Sequence, residues 1–157
     1  DRFEYYDGTS WSEQNDLNTA RYISAGCGLQ TAALYAGGND ATATTAVVEE
    51  WNGTSWSEVN NLPTAIQQQT MSGTQTAALQ AAGSDGSLTT AAFFYDGTNW
   101  TTAPSVATAR SGLGAGDIGA TQTSGIIFGG HITPNPSGYQ QTEEFSSSVT
   151  TKTVDVS

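Results

Sequence analysis

One eight-residue phrase occurs three times in this chain of 157 residues, and its even spacing limits the possible folds more than any other feature. The phrase is EYYDGTSW at 4–11, EEWNGTSW at 49–56 and FFYDGTNW at 93–100. The tryptophans that close it are 45 and 44 residues apart. Self-similarity at a fixed period of this length indicates a repeat architecture, in which each repeat is one supersecondary unit.

Two further segments keep the same period, so the repeat covers the whole unit. They are LNTAR (17–21), LPTAI (62–66) and VATAR (106–110), and QTAALYAGG (30–38), QTAALQAAG (75–83) and QTSGIIFGG (122–130). No segment has a sustained helical period of apolar residues. The chain is therefore predicted to be all-β.

The local chemistry of each unit predicts four short strands. Asp-Gly or Asn-Gly between an aromatic run and a tryptophan predicts a hairpin, because a tight primed turn needs positive φ at its centre. The apolar run TAAL, which ends in small residues and glycine, predicts another strand with a tight exit. The segment after the TAR phrase predicts a fourth, weaker strand. Cys27 falls, on this alignment, in a turn between the first two strands.

Four-stranded antiparallel units repeated at this length favour a β-propeller, whose blades are such sheets set around an axis. The small residues of QTAAL and the following glycines suit an inner strand, where blades converge. The aromatic residues of the hairpins suit the wider outer part, where one blade packs on the next.

The order of these landmarks resembles the Kelch repeat, in which a double glycine ends the second strand, a tyrosine lies in the third and a tryptophan opens the fourth. More narrowly, EEWNGTSWSEVNNLPTA resembles the Kelch-like arrays of marine bacteriophage structural and tail-fibre proteins. The chain departs from the Kelch pattern at Ala82-Gly83, which replaces the glycine pair. The last unit has also lost the hairpin glycine and tryptophan, and it ends in TTKTVDVS.

A single Kelch-like repeat domain is predicted over 1–157, with a half blade at 1–16 and blades at 17–61, 62–105 and 106–157. Closed propellers have 4–8 blades, so about three and a half blades cannot close alone, and unpaired strand edges would be exposed. Three explanations stay open at this point. The chain is the C-terminal part of a longer propeller, two copies close one ring, or the blades pack on another protein of a larger assembly.

The charge of the chain excludes some partners. Only four residues are Lys or Arg against 15 Asp and Glu, and the net charge is −11. Nucleic acid and anionic membrane surfaces require a cationic face, so neither is an expected partner. No segment is long and apolar enough for membrane insertion. The acidity suits solubility, or a neutral or cationic partner such as a sugar.

The residues that usually carry catalysis do not form a recognisable set. Cys27 and His131 are single in the chain and far apart in sequence, and neither a nucleophile-base pair nor a metal site follows from them. Adjacent acids, Glu49-Glu50 and Glu143-Glu144, point to opposite faces of a strand, which predicts one exposed and one hydrogen-bonded acid. No enzyme activity and no cofactor is predicted. Arg21 and Arg110 recur at equivalent positions, so they are predicted to pair with an acid of a neighbouring blade.

The segments between the second and third strands differ most between units, and variable loops on a rigid scaffold carry recognition. They read NDATATTA, SDGSLTTA and the longer HITPNPSGYQQT at 131–142. An aromatic ring with polar side chains is what a sugar needs. The candidate ligand-binding residues are Asn39, Asp40, Asp85, His131, Asn135, Tyr139 and Gln140.

Two functions follow as hypotheses. The first is a non-enzymatic recognition or attachment module of a phage virion or appendage, extracellular and bound to a host surface glycan or protein through these loops. The alternative is a structural or decoration protein that joins virion subunits, or a second copy of itself, through its open blade edges.

Overall fold

The computed structural model describes residues 3–116, 122–132 and 140–146, with residues 152–154 described as backbone. Every regular element in these ranges is a β-strand, which confirms the all-β class, and none of them holds a helix able to span a membrane. Asn135 and Tyr139 lie outside the described residues. The strands are β1 (Phe3–Tyr6), β2 (Trp11–Gln14), β3 (Ala25–Leu29), β4 (Ala32–Ala36), β5 (Val48–Trp51), β6 (Trp56–Val59), β7 (Thr70–Thr74), β8 (Ala77–Ala81), β9 (Ala92–Tyr95), β10 (Trp100–Thr102), β11 (Gly114–Gly116), β12 (Ser124–Phe128), β13 (Thr142–Ser146) and β14 (Lys152–Val154).

The strands from β3 onward form three four-stranded antiparallel sheets, and within each sheet the strands follow chain order. The sheets are β3 to β6, β7 to β10 and β11 to β14, and β1 with β2 forms a separate hairpin. Each sheet is a meander, because consecutive antiparallel strands need only short connections. The prediction of four-stranded antiparallel units is therefore confirmed.

The repeated phrase does form a hairpin, although its turn differs from the predicted one. Trp51 pairs with Trp56, so four residues separate the strands. Positive φ occurs at Gly53, while Oδ1 of Asn52 accepts hydrogen bonds from the backbone N–H groups of Thr54 (2.9 Å) and Ser55 (3.0 Å). A side-chain cap of this kind closes the turn without a left-handed residue beside the glycine.

The first strands of neighbouring sheets approach one another, β3 to β7 and β7 to β11. β4 and β8, which carry the two QTAAL segments, are the second strands of their sheets. One core cluster joins the first and second sheets around Leu34 and Met71, and another joins the second and third around Leu79 and Ile127. Cys27 lies within β3, buried and opposite Leu34, so its predicted place in a turn is wrong.

Backbone hydrogen bonds link the sheets at the residues after the second strand. The N–H of Gly38 donates to the carbonyl of Ile66 (2.8 Å), and the N–H of Gly83 donates to that of Arg110 (2.8 Å). Gly38 has φ +101°, and a Cβ there would lie 1.9 Å from Oγ of Ser24. The glycine is therefore required both by the backbone conformation and by the close approach.

Candidate functional site

Two of the loop residues predicted to bind a ligand, Asn39 and Asp85, use their side chains for hydrogen bonds that stabilise the loops. Asn39 donates from Nδ2 to Oε1 of Gln67 (3.1 Å), and its Oδ1 accepts from the N–H of Ala41 (2.9 Å). The carboxylate of Asp85 accepts from the N–H of Ser87 (3.2 Å). The bonds to Ala41 and Ser87 lie within turns, and the bond to Gln67 joins two units. The Asn39 amide therefore has little hydrogen-bonding capacity left for a ligand.

Asp40 is held in the same way. Its Oδ1 accepts from the Thr42 hydroxyl (2.6 Å) and from the N–H groups of Thr42 and Ala43 (both 2.9 Å). The Thr42 hydroxyl, followed by these two N–H groups, lowers the pKa of Asp40 to about 2. The carboxylate thus stays ionised because the turn stabilises its charge.

His131 and Gln140 are both exposed, but they have different surroundings. His131 exchanges two backbone hydrogen bonds with Ser111 and borders a recess of about 490 Å³. Gln140 does not border it. The recess is lined by Gln68, Leu88, Ser111, Gly112, Gly130 and His131. Gln68 was not singled out by the sequence, since it lies outside the variable loops.

The two repeated arginines form buried ion pairs within their own sheets. Arg21 pairs with Glu49 of β5, and both side chains are fully buried. Arg110 pairs with Glu143 of β13 at 2.7 Å. The prediction that the partner comes from a neighbouring unit is wrong. In each pair the arginine lies just before the first strand of a sheet, and the acid lies in the third strand of that same sheet.

The acid pairs divide largely as predicted. Glu143 is buried and Glu144 is exposed. Glu49 is buried, but Glu50 is half-buried and accepts a hydrogen bond from the Tyr95 hydroxyl of the next sheet (2.9 Å). Burial and this hydrogen bond raise the pKa of Tyr95 above its ordinary value.

The buried carboxylate of Glu49 accepts hydrogen bonds from Asn18, Thr19 and Arg21. Burial opposes its ionisation, but the N–H of Asn18, the Arg21 guanidinium and the N–H of Thr19 together outweigh that effect. They hold the pKa of Glu49 below its ordinary value. A buried acid with this many donors is a structural anchor and is not free for proton transfer.

A cavity of about 660 Å³ lies beside the first hairpin, which the repeat pattern predicts to be a half blade with an unpaired edge. Its walls are β1, β3, β4 and Trp56. Trp11 and Leu29 border it and are 67% and 68% exposed. A pocket between the second and third sheets, bordered by Leu79 and Ile127, has a volume of only about 10 Å³. Large apolar side chains thus stand exposed where one sheet lacks a complete neighbour.

The hairpin nevertheless sits where the outer half of a sheet would be. Gln30 donates from Nε2 to the carbonyl of Tyr6 (2.7 Å), just as Gln75 donates to the carbonyl of Trp51 one unit later (2.7 Å). β1 therefore occupies, relative to the first sheet, the position that β5 occupies relative to the second.

A second pair of contacts repeats in the same way. Asn15 donates to the carbonyl of Thr54 (2.7 Å), and Asn60 donates to the carbonyl of Thr98 (2.7 Å). The open edge of β1 is consequently a defined surface of the fold, which we call the β1 edge: the unpaired side of Phe3–Tyr6 with the cavity beside it.

No group of three His, Cys, Asp or Glu side chains that could hold a metal ion occurs within the described ranges. No protein-family model matches the chain, and no curated protein matches it. The β1 edge and the His131 recess are the two candidate sites.

Proposed function

We propose that this chain is a non-enzymatic structural module that joins protein subunits through the β1 edge. The observation that carries the proposal is the cavity of about 660 Å³ beside a hairpin held in the place of an outer half sheet. An exposed strand edge with large apolar neighbours is a template for pairing with another chain. Trp11 and Leu29 supply that apolar surface.

The proposal includes a β-propeller as the architecture of the assembled state. Support comes from the repeat period, from the meander sheets and from the approach of their first strands. Three such sheets and one hairpin would leave a propeller open, so further strands are needed to close it. The resemblance to Kelch-like phage arrays suggests a virion or appendage as the setting.

The test is the absolute mass of the chain in solution, measured by light scattering over a wide concentration range. With no other partner present, the β1 edge is expected to pair with that of another copy, so the mass rises above that of a monomer. Leu29→Lys should keep the chain monomeric, because a charge in the apolar edge is costly to bury. Ser87→Lys adds the same charge in an exposed loop and should associate like the wild type. A monomeric wild type that matches Leu29→Lys at every concentration would overturn the proposal.

A second candidate function is recognition of a host surface glycan, and the observation in its favour is the recess that His131 borders. A recess with an imidazole, an amide and a hydroxyl offers hydrogen-bonding groups for a sugar. In a glycan-binding screen, His131→Ala should weaken attachment and Gln140→Ala should not. Equal binding by both variants would remove the recess from consideration.

A further inference from the structure

Glu4 occupies the position in its hairpin that Glu49 occupies in the first sheet. Both residues lie three positions before the turn residue, Asp7 or Asn52, and both are the second residue of their strand. Glu143 is likewise the second residue of β13. The three acids are therefore equivalent members of the repeat.

Their surroundings differ sharply. Glu49 and Glu143 are buried under arginines that precede the first strand of their own sheets. Glu4 is exposed, and no ion pair joins it to any residue in the described part of the chain. Glu49 is covered by an arginine and by the first two strands of its own sheet, and the described structure contains no counterpart of these elements beside Glu4.

The backbone of β1 lacks the same half. β5 pairs with β6 on one side and with β4 on the other, whereas β1 pairs with β2 alone among the described strands. The cavity lies on the unpaired side. A strand equivalent to β4 would therefore add to β1, with a strand equivalent to β3 beyond it.

We propose that the β1 edge receives a two-stranded segment with the pattern of the unit's own first half, and that an arginine of this segment pairs with Glu4. The segment would carry an arginine, a glycine-rich strand and a strand of the QTAAL type. This inference rests on the proposed assembly function and names its partner. A second copy's hairpin cannot fill this role, because it carries the same third and fourth strands and no spare first half.

The experiment supplies such a segment to the whole chain. A copy of residues 17–47 is joined directly before Phe3. Because Phe3 is the repeat equivalent of Val48, the junction reproduces the natural order of residues within a unit. The added segment should protect the β1 amides from hydrogen exchange and shift the emission of the exposed Trp11 to shorter wavelength. An extension of the same composition in scrambled order is the control, and it should do neither.

The arginine is tested by a double-mutant cycle in the extended chain. Arg21→Ile, made in the copied segment only, and Glu4→Gln should each lower the folding equilibrium constant of the added sheet by about a thousandfold, since each leaves one buried charge unpaired. The two changes together should cost far less than the sum of the single changes. Additive effects in this cycle would overturn the pairing of Glu4 with the arginine.

A synthetic peptide of residues 17–47 with Cys27→Ser repeats the test on the unextended chain, so the result does not depend on folding of the fusion. Protection of β1 by this peptide and weaker protection by its Arg21→Ile form are the expected results. Equal protection by both peptides overturns the arginine-bearing partner but leaves assembly through the β1 edge standing. No protection by either peptide, combined with a monomeric wild type, overturns both.

Discussion

At the scale of single residues, the buried ion pairs are the most informative feature. The first and third sheets contain the pairs Arg21–Glu49 and Arg110–Glu143. The second sheet has Ile66 in place of the arginine and Phe93 in place of the acid. The arginine and the acid are thus both replaced by apolar residues in the second sheet. This is physically reasonable, because a lone buried charge is far more costly than either an ion pair or two apolar side chains.

Transferring the apolar pair to the first sheet tests this explanation. Arg21→Ile or Glu49→Phe alone should lower the free energy of unfolding by about 3–5 kcal/mol, because each leaves an uncompensated buried charge. The double variant should lie within about 2 kcal/mol of the wild type. Urea unfolding followed by tryptophan fluorescence measures all four proteins. A double variant as unstable as the sum of the singles would contradict the explanation.

The same double variant should change the pH dependence of stability. The pKa of folded Glu49 lies below its ordinary value of 4.5, so its contribution is present above that value and is lost as the pH falls through the folded pKa. Between about pH 7 and about pH 3, the wild type should lose more free energy of unfolding than the double variant does. The Arg110–Glu143 pair is present in both proteins and serves as the internal reference. Equal losses would mean that Glu49 has the same pKa in the folded and unfolded chains.

At the scale of elements, the β1–β2 hairpin is the least supported part of the described fold. It is joined to the first sheet by the side chains of Gln30 and Asn15 and by the edge-on contact of the Phe3 and Trp51 rings (4.9 Å). An isolated two-stranded hairpin is marginally stable in water. The hairpin should therefore open locally well before the sheets unfold.

Removing one of these supports should loosen the hairpin alone. Gln30→Ala deletes the hydrogen bond to the carbonyl of Tyr6, and amide exchange in β1 and β2 should become roughly three- to tenfold faster. Exchange in β5 and β6 should not change. Gln75→Ala, the equivalent substitution one unit later, should leave β1 and β2 unaffected. Mass spectrometry of exchanged peptides distinguishes these outcomes, and a uniform change along the chain would contradict the local explanation.

At the scale of the whole molecule, acidity and the apolar β1 edge act in opposite directions. A net charge of −11 makes copies of the chain repel one another, while Trp11 and Leu29 favour association. Repulsion between exposed charges is screened within about 8 Å at physiological salt and about 3 Å at 1 M. The balance therefore depends on salt.

Association of the wild type is expected to strengthen as sodium chloride rises from about 0.05 M to about 1 M, because salt screens the repulsion but leaves the apolar contact intact. Light scattering at fixed protein concentration measures the change. Leu29→Lys should stay monomeric throughout the series. Association that weakens with salt would indicate that attraction between charges, and not the apolar edge, joins the copies.

Much of the fold could be predicted from the sequence, because it depends on local chemistry. The phrase ending in Trp56 predicts a hairpin from its turn residues, and the period of the tryptophans predicts equal units. The place of Cys27 was predicted wrongly, since small residues suit both a turn and a strand. Only packing against the next sheet decides between those two positions.

The site was harder to predict. Variable loops directed attention to Asn39, Asp40 and Asp85, whose side chains hold their own turns. Aligning the repeats would have shown that Glu4 is the equivalent of Glu49. The alignment could not have shown that Glu4 is exposed, because exposure depends on which strands lie beside it. Leu29 looks like any strand leucine until the cavity next to it is seen.

The amino-acid order alone determined the all-β class, the four-stranded unit and its period, because turns and strands are specified by neighbouring residues. The tertiary structure decided which arginine meets which acid, which glycine lies against a neighbouring sheet and which edge stays open. Those properties depend on contacts between residues that are far apart in sequence, and a local sequence pattern does not show which residues will meet.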